Sequence, residues 1–167
     1  MKYVLVTYAT RAGSTVEVAR MVGAAFSEHG CAVDVVPVAS KPPVAGYDAV
    51  IVGSAIRMGK WLPEAIEFLE ENQHALAAMP VALFTVHMNN RTDEPESKAN
   101  REAYLDAVRP LVKPVSTAFF AGAIDPQRLN FLDRMIVKVV HAPEGDYRDW
   151  EAIHDWAEEI VTAAVPS

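Results

Sequence analysis

Apolar residues return along this chain in two rhythms. Short runs of strand length alternate with stretches in which they recur every three or four positions. Lys2-Tyr3-Val4-Leu5-Val6-Thr7-Tyr8 reads as a strand. The period then lengthens, with Val18, Ala19, Val22, Ala25 and Phe26 at helical spacing and Glu17, Arg20, Ser27 and Glu28 elsewhere. His29-Gly30 ends that helix. Residues 32–38 form a second strand, which Pro37 directs to a sheet edge because proline cannot donate to a ladder. Lys41-Pro42-Pro43 breaks the chain, and Asp48 to Ser54 then reads as a strand buried on both faces.

The same alternation continues to the last residues. A helix is predicted from Pro63 to Ala78, with Ile66, Phe68 and Leu69 on its apolar side, and a fourth strand from Val81 to Val86. After the polar loop Asn89-Asn90-Arg91-Thr92-Asp93 comes a helix from Glu96 to Leu111. A fifth strand follows from Val115 to Ala121. Gln127 to His141 reads as an inserted helical segment, part of a longer insertion over 127–146. Trp150, Ile153, Ala157, Ile160, Val161 and Ala164 mark the core stripe of a final helix. Strands separated by helices imply parallel pairing through right-handed crossovers. An edge position for the second strand fits the order 2-1-3-4-5, a five-stranded parallel sheet with helices on both faces. Ligands in such sheets lie at the carboxyl ends of the strands that flank the switch in order, here the first and third.

The segments at those two ends carry the chemistry. The first strand runs into Thr10-Arg11-Ala12-Gly13-Ser14-Thr15 and then directly into a helix. Hydroxyls, one glycine and free backbone N–H groups at a helix start make a receptor for phosphate. The loop has no Gly-Lys-Ser/Thr ending and no G-x-G-x-x-G, which excludes the two common nucleotide loops. A hydroxyl-rich loop in this place is the pattern of an FMN site. The competing reading is a capping box over Ser14-Thr15-Val16-Glu17, with nothing bound.

After the third strand comes Ser54-Ala55-Ile56-Arg57-Met58-Gly59-Lys60-Trp61. Ile56, Met58 and Trp61 offer an apolar wall for a flavin ring, and Met58-Gly59 offers a tight turn with a backbone polar group. Trp61 reads equally well as a core residue at a helix start, and Arg57 and Lys60 as solvated cations. From the fourth strand, Thr85-Val86-His87-Met88-Asn89 would approach the ring from the other side. Arg57 and His87 are the candidate catalytic groups, although a lone histidine at a strand end also suits a structural role. Positive charge from Arg57, Lys60 and Arg91 near the ring would raise its potential and suit an enzyme over a shuttle.

Composition narrows the classes. The 167 residues suit one domain, and a net charge of −7 opposes nonspecific nucleic-acid binding. The single cysteine, Cys31, excludes an internal disulfide, fits a reducing cytoplasm and reads as a small core residue. No signal peptide is visible, and no apolar run approaches the ~20 residues of a membrane span. His29, His74, His87, His141 and His154 show no metal-ligand spacing, so no metal is expected. Receiver domains share the strand order but need acidic residues where this chain has Tyr8-Ala9 and Gly53-Ser54.

Over essentially its whole length the chain resembles the flavodoxin family, and within it the menaquinone-dependent protoporphyrinogen oxidases. The resemblance rests on Thr10–Thr15, Ala55-Ile56-Arg57-Met58-Gly59, Ala121-Gly122-Ala123, Asp133-Arg134-Met135-Ile136 and Asp149-Trp150. It implies a flavodoxin-like three-layer α/β sandwich. It places FMN phosphate on Thr10, Ala12, Gly13, Ser14 and Thr15, and ring contacts on Ala55 to Gly59 and on the Thr85–Arg91 loop. It further implies a tetrapyrrole-like reductant and a quinone acceptor. On that reading the 127–141 segment meets the quinone or the membrane surface; on the other it packs on the sheet or closes a homodimer. A flavodoxin-type electron carrier working through a redox partner protein, and an interaction module without flavin, are the alternative functions.

Overall fold

The computed structural model describes residues 1–11, 13–87, 95–121, 123–124, 145–146 and 149–164. The main elements are β1 (Tyr3–Ala9), α1 (Ser14–Glu28), β2 (Ala32–Pro37), β3 (Ala49–Arg57), β4 (Lys60–Trp61), α2 (Pro63–Glu71), α3 (Gln73–Leu76) and β5 (Val81–Val86). They continue with α4 (Pro95–Tyr104), β6 (Ser116–Phe120), β7 (Ala123–Ile124), β8 (Gly145–Asp146) and α5 (Trp150–Ala164).

The parallel strands run in the order β2-β1-β3-β5-β6, which is 2-1-3-4-5 once the short β4 is set aside. As expected from Pro37, β2 is an edge strand, and Pro37 pairs with Tyr8 at the end of its ladder. Alternation along β1 sends Val4, Val6 and Tyr8 into one apolar layer and Leu5 and Ala9 into the other. The first layer is closed by α1 and α5, through Val18, Val22, Phe26, Ile153, Trp156 and Ile160. The second is closed by α2, α4 and the turn after it, through Leu62, Phe68, Leu69, Tyr104 and Val108. The result is the three-layer sandwich expected of the sequence.

Three elements differ from expectation. The helix predicted to reach Ala78 stops at Glu71 and restarts as α3. At Asn72 the side-chain Nδ2 donates to the Phe68 carbonyl at 2.8 Å, which competes with continuation of the helix. The fourth helix ends at Tyr104, and turns carry the chain on to Leu111. The third strand runs past Ser54 to Arg57 and folds back as β4, a hairpin not foreseen. Cys31 is partly buried against the α1 layer and not enclosed in it. No helix among the described residues is long and apolar enough to cross a membrane. The 127–141 segment lies outside the described residues; β7 and β8, which flank 125–144, pair antiparallel.

Candidate functional site

Register brings the predicted segments together. Ala9 pairs with Ser54 across β1 and β3, and Ala55 pairs with Val86 across β3 and β5. The Thr10–Thr15 loop, the end of β3 and His87 therefore leave neighbouring strands at one edge of the sheet.

The first loop is built around Gly13. Its φ of 88° is the left-handed region, and Thr10 Oγ1 accepts the Gly13 N–H at 3.0 Å. Gly13 is the N-cap of α1, so Ser14 is already the first helical residue and the capping box read from Ser14 and Glu17 is not formed. No side chain caps this helix start, although the Val16 N–H donates to the Gly13 carbonyl at 3.3 Å, and a helix start without a side-chain cap favours an anion. Thr15 is fully buried, and its Oγ1 has no hydrogen-bond partner; among the described residues only Thr7 Oγ1 shares that condition. A buried hydroxyl without a partner costs about 1–3 kcal/mol. At this loop it is a hydroxyl left for a group from outside the chain to satisfy. Ala12 lies outside the described residues.

Arg11 points elsewhere. Its guanidinium grips the carboxylate of Glu64, in the first turn of α2, through both Nη groups, with Nη2 donating to Oε2 at 3.0 Å. The arginine holds the Glu64 carboxyl below the usual carboxylate range. Its charge is thus largely matched within the protein.

The β3–β4 hairpin forms the second wall. Met58 (φ 54°) and Gly59 (φ 76°) are its two central residues. Positive φ at both is the two-residue turn that suits strand twist. Met58 accepts a backbone cost of about 1–2 kcal/mol there and carries its side chain into solvent at 88% exposure. Ala55, Ile56 and Arg57 are half-buried along the strand that leads to it.

Ser54, Trp61 and Thr85 sit below this surface. Ser54 Oγ accepts the Leu62 N–H at 3.0 Å and donates to the Ala55 carbonyl at 2.7 Å. Trp61 is 1% exposed, and its Nε1–H donates to Thr85 Oγ1 at 3.0 Å. These bonds tie β3, the start of α2 and β5 into one floor. The structure therefore places Trp61 in the core position that its sequence also allowed, and spends the two hydroxyls on protein partners.

His87 closes the third side. Its N–H donates to the Phe120 carbonyl at 3.0 Å, and its Nδ1 lies 3.2 Å from the Tyr104 hydroxyl. The two rings meet edge to face at 5.4 Å. Burial pushes the His87 pKa down, so the ring is neutral at physiological pH. Val86 is in the core; Met88, Asn89 and Arg91 lie outside the described residues. On the α2 flank of the hairpin runs an open groove of about 490 Å³, lined by Arg11, Arg57, Met58, Lys60, Trp61 and Ile66. Sequence reasoning missed Tyr104 and Glu64, whose roles come from packing between elements. Neither has a local signal beyond the acid behind Pro63 at a helix start.

Residues 5–151 match the family described as flavodoxin domain. The chain belongs to the flavodoxin family. This flavodoxin-domain chain is similar to protoporphyrinogen IX dehydrogenase [quinone] of Escherichia coli strain K12, with 29% identity over 168 residues and 93% of each chain covered. It is also 28% identical over 133 residues to the protein of that name from Leishmania major, covering 74% of this chain and 57% of the relative. Among solved structures, oxidised Flavodoxin 1 from Bacillus cereus superposes with a TM-score of 0.61 at 14% identity, covering 96% of this chain and 98% of that one. Rubredoxin oxygen:oxidoreductase from Desulfovibrio gigas gives 0.57 at 15% identity, with all of this chain matched to 38% of the larger one. These structural likenesses share the fold. A flavodoxin-fold oxidoreductase or electron-transfer protein is the class to which the chain belongs.

Proposed function

We propose that this chain binds FMN and serves as a flavodoxin-type electron-transfer protein. The observation that carries the reading is the Gly13 loop, with an uncapped helix start and a buried Thr15 hydroxyl that lacks a partner. When bound, FMN supplies a centre that takes up and gives back one or two electrons. Thr10, Gly13, Ser14 and Thr15 would hold its phosphate, while Ala55 to Gly59 and His87 would flank its ring. Trp61, Ser54 and Thr85 fix the floor on which those segments stand. A neutral His87 adds no charge beside the ring and keeps a nitrogen for hydrogen bonding.

The exposed Met58, at the tip of a hairpin carrying Arg57 and Lys60, favours docking of a redox partner there. The charge argument for an enzyme is weaker than the sequence suggested, because Lys60 is solvent-exposed. A second reading, a dehydrogenase passing electrons from a reduced tetrapyrrole to a quinone, is favoured by the 29% identity across 93% of both chains. On that reading the 127–141 segment faces the quinone or its membrane, and serines at Phe131 and Val137 should slow quinone reduction without altering FMN affinity.

The test begins with the absorbance spectrum of the purified protein and titration of the apoprotein with FMN, FAD and NADH. Tight binding of a dinucleotide without FMN binding would overturn the proposal. Anaerobic assay with protoporphyrinogen IX and a quinone separates the readings: turnover favours the dehydrogenase, and reduction of a protein partner alone favours the carrier.

A further inference from the structure

At the far end of α1 from the Gly13 loop, two pairs of side chains converge that are remote from each other in sequence. Glu28 is the last residue of α1 and His29 its C-cap; His154 and Glu158 stand one turn apart on α5. His154 Nε2 lies 3.9 Å from Glu28 Oε2 and 3.8 Å from Glu158 Oε1. His29 Nε2 lies 2.7 Å from Glu158 Oε2. One ligand atom each from Glu28, His154 and Glu158 fall within 4.8 Å of one another. We infer that this cluster is a divalent transition-metal site, with zinc the best-suited ion, that clips α1 to α5.

The chemistry of the donors supports that class. One imidazole and two carboxylates are a nitrogen–oxygen set suited to zinc, with ligand bonds near 2.0–2.2 Å. In a tetrahedron of that size neighbouring ligand atoms stand roughly 3.3–3.5 Å apart. The two separations from His154 need to close by only a few tenths of an ångström, and the Glu28–Glu158 pair, within 4.8 Å, by up to about 1.5 Å, a rotamer change open to half-exposed side chains. His29 already orients Glu158 through its second oxygen, as an outer partner does for a ligating carboxylate. Two carboxylates and the carbonyl end of α1 both favour a cation here.

Spacing explains why the sequence reading expected no metal. The pair His154 and Glu158 is a one-turn pair on a helix, yet its other ligands come from α1, more than a hundred residues earlier. Only the packing of α1 on α5 brings them together.

The site is separated from the phosphate loop by the length of α1, which permits a clean test. Metal-free full-length protein is titrated with Zn²⁺ by calorimetry, and with Co²⁺ to read the ligand field in the visible spectrum. The expected result is one equivalent bound, a Tm raised by roughly 5 °C at saturating zinc, and at least a ten-fold loss of affinity in both His154→Ala and Glu158→Gln. FMN binding, measured separately, should be the same in these variants as in the parent chain, showing that they fold. Zinc binding absent at micromolar concentrations, or unchanged in both variants, would overturn the assignment. Since FMN binding is scored apart, failure of the metal site and failure of the flavin reading are distinguishable.

Discussion

At Gly13 the backbone stands at φ 88°, where asparagine and aspartate are the least strained replacements for glycine. The two have nearly the same shape and differ by one charge. Gly13→Asn should therefore cost about 1 kcal/mol of stability and keep measurable FMN binding. Gly13→Asp should bind at least about ten-fold more weakly than Gly13→Asn, by repulsion of the phosphate, and added salt should narrow the gap. Fluorescence titration of FMN reads both; equal affinities would remove the phosphate from this loop. Thr15 supplies the complementary case. Its Oγ1 is buried without a partner, so Thr15→Val should stabilise the apoprotein by about 1–2 kcal/mol while weakening FMN binding. A variant that gained stability and lost no affinity would show that the hydroxyl never meets the phosphate. Arg57 tests charge at the ring side. Arg57→Gln should lower the flavin midpoint potential by about 1 kcal/mol, or roughly 20 mV for a two-electron couple, and an unchanged potential would place the guanidinium in solvent.

Among the elements, β3 is held most tightly. A Cβ added at Gly53 would lie 2.0 Å from the Phe84 ring, which packs across β5 onto Phe120 and Trp156. Gly53→Ala must push that ring into a packed aromatic cluster, and a loss of about 1–3 kcal/mol is expected in urea melts. A neutral result would mean that the cluster yields more freely than its packing implies. The strands that build this core were legible in the sequence because burial on both faces writes continuous apolar runs; Val81 to Val86 matched residue for residue. The switch point followed from Pro37, which marked β2 as an edge, and the register does bring the ends of β1 and β3 side by side. The β3–β4 hairpin was not legible, since a two-residue strand has no period to read. The halt at Asn72 was hidden by apolar spacing that continues beyond it. Ser54 and Trp61 were open to both a buried and a ligand-facing reading, and Arg11 was read with the phosphate loop; which holds depends on Leu62, Thr85 and Glu64, contacts made only after folding.

For the whole molecule, titration should draw one stability curve with two shoulders. Burial holds the His87 pKa down in the folded chain, so the unfolded chain takes up its proton first as the pH falls. Stability from this group is complete above the unfolded value near 6.5 and is lost as the pH drops below it. Glu64, held down by Arg11, acts in the same direction lower on the scale: its contribution is present above the ordinary carboxylate value and falls away as the pH descends through the folded one. The Glu64 part should be small, because the pair is partly exposed to solvent and screened by it. Tyr47 works at the other end. Its hydroxyl donates to Asp34 at 2.6 Å, and that bond lifts its pKa from 10.0 to about 12, so its contribution holds below the unfolded value and disappears as the pH rises toward 12. Urea melts across the range should show a plateau between about pH 7 and 10, falling first on the acid side. His87→Gln cannot titrate and should flatten the decline between pH 7 and 5, while the loss at lower pH persists. If the decline between pH 7 and 5 were the same in His87→Gln as in the parent chain, the buried imidazole beside Tyr104 would not be its source.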